Sequence, residues 1–133
     1  VASLWSYHDY TTIAPGALSD ALARHALAPA RRTRILARTR DILNRNFPAI
    51  ADWLDAQGGF SYSPPDAGAI VYARYHYPVN STELVTRLRI EKSVLVVPGD
   101  HFGMDGYLRI GFGDSPAYLH AALDRVRDLL CSI

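Results

Sequence analysis

The chain has 133 residues, 49% of them hydrophobic, and a formal net charge of +1. One domain of this size buries about two-thirds of the surface its unfolded chain exposes, so it can hold a real core. The near-neutral charge gives no electrostatic case for nucleic acid or an anionic membrane; no apolar run approaches the roughly 20 residues that span a bilayer, and the opening VASLWSYHDY has no basic leader region.

The first ten residues are aromatic-rich, with Trp5, Tyr7 and Tyr10, and give way to a turn signal in Thr11, Thr12, Pro15 and Gly16. A helix is predicted over Ala17 to Leu27, with Leu18, Ala21, Leu22 and Ala26 on one face, ending before Pro29. A long helix follows from Pro29 to Gln57. Ile35, Leu36, Ile42, Leu43, Ile50, Trp53 and Leu54 recur at spacings of three, four and seven, and Gly58-Gly59 ends the run. Pro48 is expected to bend it, because its ring meets the carbonyl of Asn44 and it has no N–H to donate. Six arginines, Arg31, Arg32, Arg34, Arg38, Arg40 and Arg45, crowd the first half. Spread right round a helix in a near-neutral chain, they fit a solvated face or ion-pair partners better than a nucleic-acid footprint.

Phe60 to Ser63 and Ala69 to Tyr75 read as strands, the first broken by Pro64-Pro65. Asn80, with Glu83 three positions on, has the form of a capping box that opens a helix to about Arg89, with Leu84, Val85 and Leu88 toward the core. The apolar run Val94 to Val97, bounded by Pro98 and Gly99, predicts a short buried strand. A glycine-rich loop follows, and Tyr107 to Phe112 is extended again. Its period of two puts Leu108, Ile110 and Phe112 on one face and Tyr107, Arg109 and Gly111 on the other. Ser115-Pro116 supplies the N-cap and first turn of a last helix, whose Leu119, Ala122, Leu123, Val126, Leu129 and Leu130 form an apolar stripe. This order predicts an α+β domain: a small, mostly antiparallel sheet covered on one face by helices, with a long connecting helix before it.

Arg109 is the residue with the most chemistry to offer. A guanidinium held on a strand, with Gly103, Gly106, Gly111 and Gly113 leaving room around it, suits bidentate capture of a carboxylate or phosphate. Spacing alone favours the plainer reading, an arginine on the solvated face of a half-buried strand. His101, beside Phe102 in the loop, is placed to approach a bound ligand, although an ordinary surface histidine explains it more simply. Asp100 and Asp105 are accounted for by turn formation. The other histidines, His8, His25, His76 and His120, show no paired ligand spacing, and Cys131 is the one cysteine, so no metal site is expected.

The run Pro98-Gly99-Asp100-His101-Phe102-Gly103, followed by Gly106-Tyr107-Leu108-Arg109-Ile110-Gly111-Phe112, resembles the carboxy-terminal signature of the class I/II pyridoxal-phosphate aminotransferases, the aspartate aminotransferase family of fold type I. The resemblance implies that Arg109 binds the substrate's α-carboxylate. It matches His8-Asp9-Tyr10-Thr11-Thr12 to a region near the dimer interface that approaches the neighbouring subunit's active site. Tyr7, His8, Tyr10 and Thr11 thus join His101 and Phe102 as candidate substrate contacts. Residues 1–28 then correspond to the tail end of the large cofactor-binding domain, 29–57 to the long connecting helix and 58–133 to the small domain.

Lys92 is the only lysine, and the resemblance puts the Schiff-base lysine well upstream of everything in this chain. The chain implied is therefore the carboxy-terminal fragment of a longer enzyme, inactive alone, with no catalytic or cofactor-binding residue assignable within it. The intact protein would be a cytoplasmic homodimer that carries pyridoxal phosphate and moves an amino group between an amino acid and a 2-oxo acid. Lyases and cyclases share this scaffold and stay open, as does a non-catalytic small-anion-binding module built on Arg109. No arginine lies near Tyr7 and His8, where dicarboxylate-specific members read a side-chain carboxylate, which implies a non-acidic substrate side chain.

Overall fold

The structure, a computed structural model, describes residues 2–11 and 13–133, without the side chain of Asp9; Thr12 of the candidate stretch lies outside them. The chain forms two compact units, Val1–Arg38 and Thr39–Ile133. Among the described residues no helix is long and apolar enough to cross a membrane.

The first unit holds α1 (Ala2–Thr11), α2 (Ala17–Leu27) and the opening turns of α3 (Pro29–Gln57). Helix α1 had no sequence signal, because its Leu4, Trp5, Tyr7 and Tyr10 are all exposed and mark no single stripe. Helix α2 stops where expected: Ala28, the residue before Pro29, is extended at φ −52 and ψ 132. Its Leu18 and Leu22 are exposed, so the apolar face read from the sequence buries no residue of α2. The arginines of α3 are solvent-facing, as expected.

The second unit contains the rest of α3, β1 (Phe60–Tyr62), β2 (Ile70–Tyr75), α4 (Ser81–Lys92), β3 (Val97–Pro98), β4 (Tyr107–Gly111) and α5 (Pro116–Leu130). Helix α3 continues through Pro48 and ends at Gly58, which takes the left-handed φ of 63°. The sheet runs β1-β2-β4-β3, every pair antiparallel. Its inner face carries Val71, Ala73 and Tyr75 from β2 and Leu108 and Ile110 from β4, followed by Phe112. These pack with Ile50 and Leu54 of α3, Leu84 and Leu88 of α4, and the stripe of α5. The architecture is thus the α+β one expected, with helices on one face.

Caps explain the helix starts. Asn80 accepts from the backbone of Thr82 and Glu83 at 2.9 and 3.3 Å, and Ser115 from that of Tyr118 at 3.3 Å, with Pro116 opening α5. The strand expected over Val94 to Val97 is corrected. Helix α4 runs to Lys92, past the expected Arg89, and Ser93 closes it in a left-handed conformation at φ 53°. Residues 93–96 are therefore used to turn back; Val94 is buried, Leu95 is 76% exposed, and pairing begins only at Val97.

Candidate functional site

Strand β4 lies between β2 and β3, so Arg109 has a neighbour on either side. Tyr72 stands opposite it on β2 and Val97 opposite it on β3; one step along, Arg74 faces Tyr107 and, on its other flank, Ser61. Because strand side chains alternate, these residues all belong to the side of the sheet that the helices leave open. There the Tyr72 and Tyr107 rings stack at 5.1 Å and 18°, and Phe102 meets Tyr72 edge-on at 6.3 Å and 89°. A hollow of about 560 Å³ runs beside them, lined by Ser61, Ile70, Tyr72, Arg74 and Tyr107.

Arg109 is half-buried, and among the described residues no carboxylate lies within 4.0 Å of it. A cation partly withdrawn from water without a counter-charge is poorly compensated, so an anion arriving from the open side would gain a charge-assisted, bidentate partner. Arg74 is exposed and, among the described residues, likewise has no acid partner.

A network at the start of α4 fixes the loop before β4. A 3₁₀ turn spans Gly99–Phe102, and Gly103 and Gly106 take left-handed φ values of 68° and 78°. One carboxylate oxygen of Asp105 accepts from the backbone N–H of Ser81 and of Gly106, both at 2.7 Å. Ser81 Oγ, itself buried, accepts from the backbone of Asp100, whose carboxylate accepts from Thr82 Oγ1, each at 3.0 Å. The backbone N–H groups of Ser81 first and then Gly106 hold the Asp105 carboxyl below the usual carboxylate range. Tyr75, in the last position of β2, donates its hydroxyl to the Val79 carbonyl at 2.7 Å; burial first, then Asp105, Asp100 and Glu83, push its phenol up to about 12.

Of the residues singled out from the sequence, Arg109, His101 and Phe102 belong to the second unit. Phe102 meets Tyr72, the cross-strand partner of Arg109, and His101 is exposed beside it on the 3₁₀ turn. Tyr7, His8, Tyr10 and Thr11 belong to the first unit, exposed on α1. There the hydroxyl of Thr11 donates to the Tyr7 carbonyl at 3.1 Å, and the rings of Trp5 and His8 lie 5.7 Å apart. Lys92 ends α4, on the helical side of the sheet, whereas Arg109 is on the open side. Sequence reasoning missed Tyr72 and Arg74. Their shared parity on β2, opposite to that of Val71 and Ala73, was legible; the register that sets them beside Arg109 and Tyr107 was not.

A family model described as aminotransferase class I and II matches residues 6–126. Among curated proteins, the chain is 31% identical over 96 residues to an LL-diaminopimelate aminotransferase of Oleidesulfovibrio alaskensis, covering 71% of this chain and 24% of that protein. It is 32% identical over 115 residues to a capreomycidine synthase of Streptomyces vinaceus, covering 84% and 28%. Among solved structures, a PLP-dependent aminotransferase from Streptococcus suis superposes with a TM-score of 0.89 at 31% identity, over 97% of this chain and 34% of that one. The chain thus spans about a quarter of the length of these curated relatives and a third of the solved one.

Proposed function

The chain belongs to the class I and II aminotransferases, and from that membership we propose that it is the carboxy-terminal region of a PLP-dependent enzyme moving an amino group between an amino acid and a 2-oxo acid, with Arg109 gripping the substrate's α-carboxylate. The observation that carries the role of Arg109 is its state: half-buried, on the open side of the sheet, with no acid partner among the described residues. Two parallel N–H···O bonds to a carboxylate would fix the plane of that group, and with it the direction of the bond to the reacting carbon.

Pyridoxal phosphate does not fit the residues of this chain taken alone. The one lysine, Lys92, sits at the end of α4 on the face of the sheet opposite Arg109, so no lysine of the chain shares a side with the carboxylate grip. We assign the cofactor and its anchoring lysine to the part of the relatives' length that this chain does not span, and no step through the cofactor to these residues. On the same reading residues 1–28 end the large domain, 29–57 connect and 58–133 form the small domain. The whole enzyme is then a cytoplasmic homodimer, in which Tyr7, His8, Tyr10 and Thr11 approach the partner's substrate, and these 133 residues show no transaminase activity alone.

A second reading has one specific support: a relative as similar as the aminotransferase is named a synthase. The carboxylate grip would then serve different chemistry at the same carbon.

The test of Arg109 is direct binding of pyruvate to the chain, followed by titration calorimetry or amide shifts. Arg109→Gln should weaken it by a factor of about ten or more, as expected for a lost charge-assisted pair, and Arg109→Lys should fall between, since a point charge replaces the fork. Equal affinity in all three proteins would remove the assignment.

A further inference from the structure

The hydroxyl of Tyr72 is shielded from solvent and has no hydrogen-bond partner among the described residues. A buried donor left in that state costs free energy, and in folded proteins such groups are few enough that each calls for a reason. Three features of its position supply one. Tyr72 is the residue directly opposite Arg109 across the β2–β4 pair, on the open side of the sheet. Its ring is packed between Tyr107, stacked at 5.1 Å, and Phe102, edge-on at 6.3 Å. Of these two ring neighbours, Tyr107 is fixed within a strand, while Phe102 is 58% exposed on the 3₁₀ turn that Gly103 ends.

We propose that Tyr72 is a second substrate-binding residue: its hydroxyl donates to the carboxylate that Arg109 holds, once the ring of Phe102 moves aside. The inference rests on the assignment of Arg109 above and adds a group to the same site. The bookkeeping of hydrogen bonds supports it. A carboxylate offers about four lone-pair positions, and a bidentate guanidinium uses two, so an acidic substrate group on Arg109 still seeks donors. The residue opposite Arg109 on β2 carries a donor with nothing to give it to. In the free protein the phenol hydroxyl has no acceptor among the described residues, and the substrate supplies the missing one.

Tyr72→Phe keeps the ring, its stacking and its volume, and removes only the hydroxyl. Pyruvate is the probe, titrated into wild type, Tyr72→Phe and Arg109→Gln, with thermal melts of all three in its absence. The expected result is a loss of affinity of about tenfold in Tyr72→Phe, the size of a hydrogen bond to a charged acceptor, with a melting temperature equal to or above that of wild type because an unsatisfied polar group is gone. Unchanged affinity in Tyr72→Phe beside weakened binding in Arg109→Gln overturns the role of Tyr72 and leaves that of Arg109 standing. A lower melting temperature in Tyr72→Phe overturns it as well, since the hydroxyl would then have a partner in the free protein. If Arg109→Gln binds as wild type does, or wild type binds nothing, the Arg109 assignment itself falls and takes this one with it.

Discussion

Asn46 is fastened to the end of the strand that carries Arg109: its side-chain amide, 1% exposed, donates to the carbonyl oxygens of Phe112 and of Asp114, both at 2.7 Å. The two protons of one amide thus tie α3 to the exit of β4, where ladder pairing has ended. Asn46→Leu matches the volume and strands the Phe112 carbonyl without a donor. A loss of about 2–3 kcal/mol is expected in urea unfolding, within the range for an unsatisfied buried acceptor and its lost bonds. A change below about 0.5 kcal/mol, typical of a neutral surface site, would mean the clamp is not what holds this end.

Gly99 has no space for a side chain. A Cβ there would run into the Met104 carbonyl and lie 2.8 Å from Tyr107 Cβ and 2.9 Å from the Tyr107 carbonyl oxygen. Backbone on the far side of a tight turn does not give way as a flexible side chain does, so Gly99→Ala should displace the turn that carries Phe102. The readout is the aromatic region of the proton spectrum: the shifts of Tyr72 and Phe102 should move together, with a lowered melting temperature. Retention of both sets of wild-type shifts would show that the loop absorbs the methyl group elsewhere.

Asp105 makes stability depend on acid. Its folded pKa is lowered, so its contribution is complete above the unfolded value of about 3.9 and is lost as the pH falls through the folded value. Wild type should therefore lose stability on acidification below about pH 4 more steeply than Asp105→Asn, which starts from a lower melting temperature at neutral pH. Two melting curves that run parallel from neutral into strong acid contradict the clamp between Asp105 and Ser81.

Tyr75 acts at the other end of the scale. Its folded pKa, about 12, is above the free phenol's value of about 10, so the stability it contributes is intact below pH 10 and disappears as the pH climbs toward 12. Alkaline unfolding should be shallower in Tyr75→Phe, and a spectrophotometric titration of wild type should contain a late-ionising phenol that the variant lacks. Tyr62 is raised too, chiefly by burial and then by Asp55, so the variant is needed to assign the signal.

What the sequence disclosed was local chemistry. Asn80 and Ser115 with Pro116 each open a helix, and Ala28 before Pro29 and Gly58 each end one, through atoms a few residues away, and each did so as expected. The parity of β4 was equally legible, because Leu108 and Ile110 alternate with polar or small residues and are buried as that alternation requires. The extent of β3 was not. A continuous apolar run such as Val94 to Val97 carries no period, and the end of α4 at Ser93 decided how much of it was left to pair. Register escaped for another reason: Tyr72 meets Arg109 through a ladder between segments distant in sequence, which no local pattern encodes. Asp105 looked like any turn-forming aspartate until its carboxylate was seen to reach Ser81.

Strand β3 has two residues, and the second is Pro98; β1, at the opposite border of the sheet, has three. A proline has no N–H to offer an incoming strand, and a border of two or three residues presents too short a template for one to align on. The sheet is therefore capped against growth from both sides by the chain's own composition. The backbone thus gives an incoming strand little to align on at either border, which disfavours the route from a folded domain to a stacked fibre.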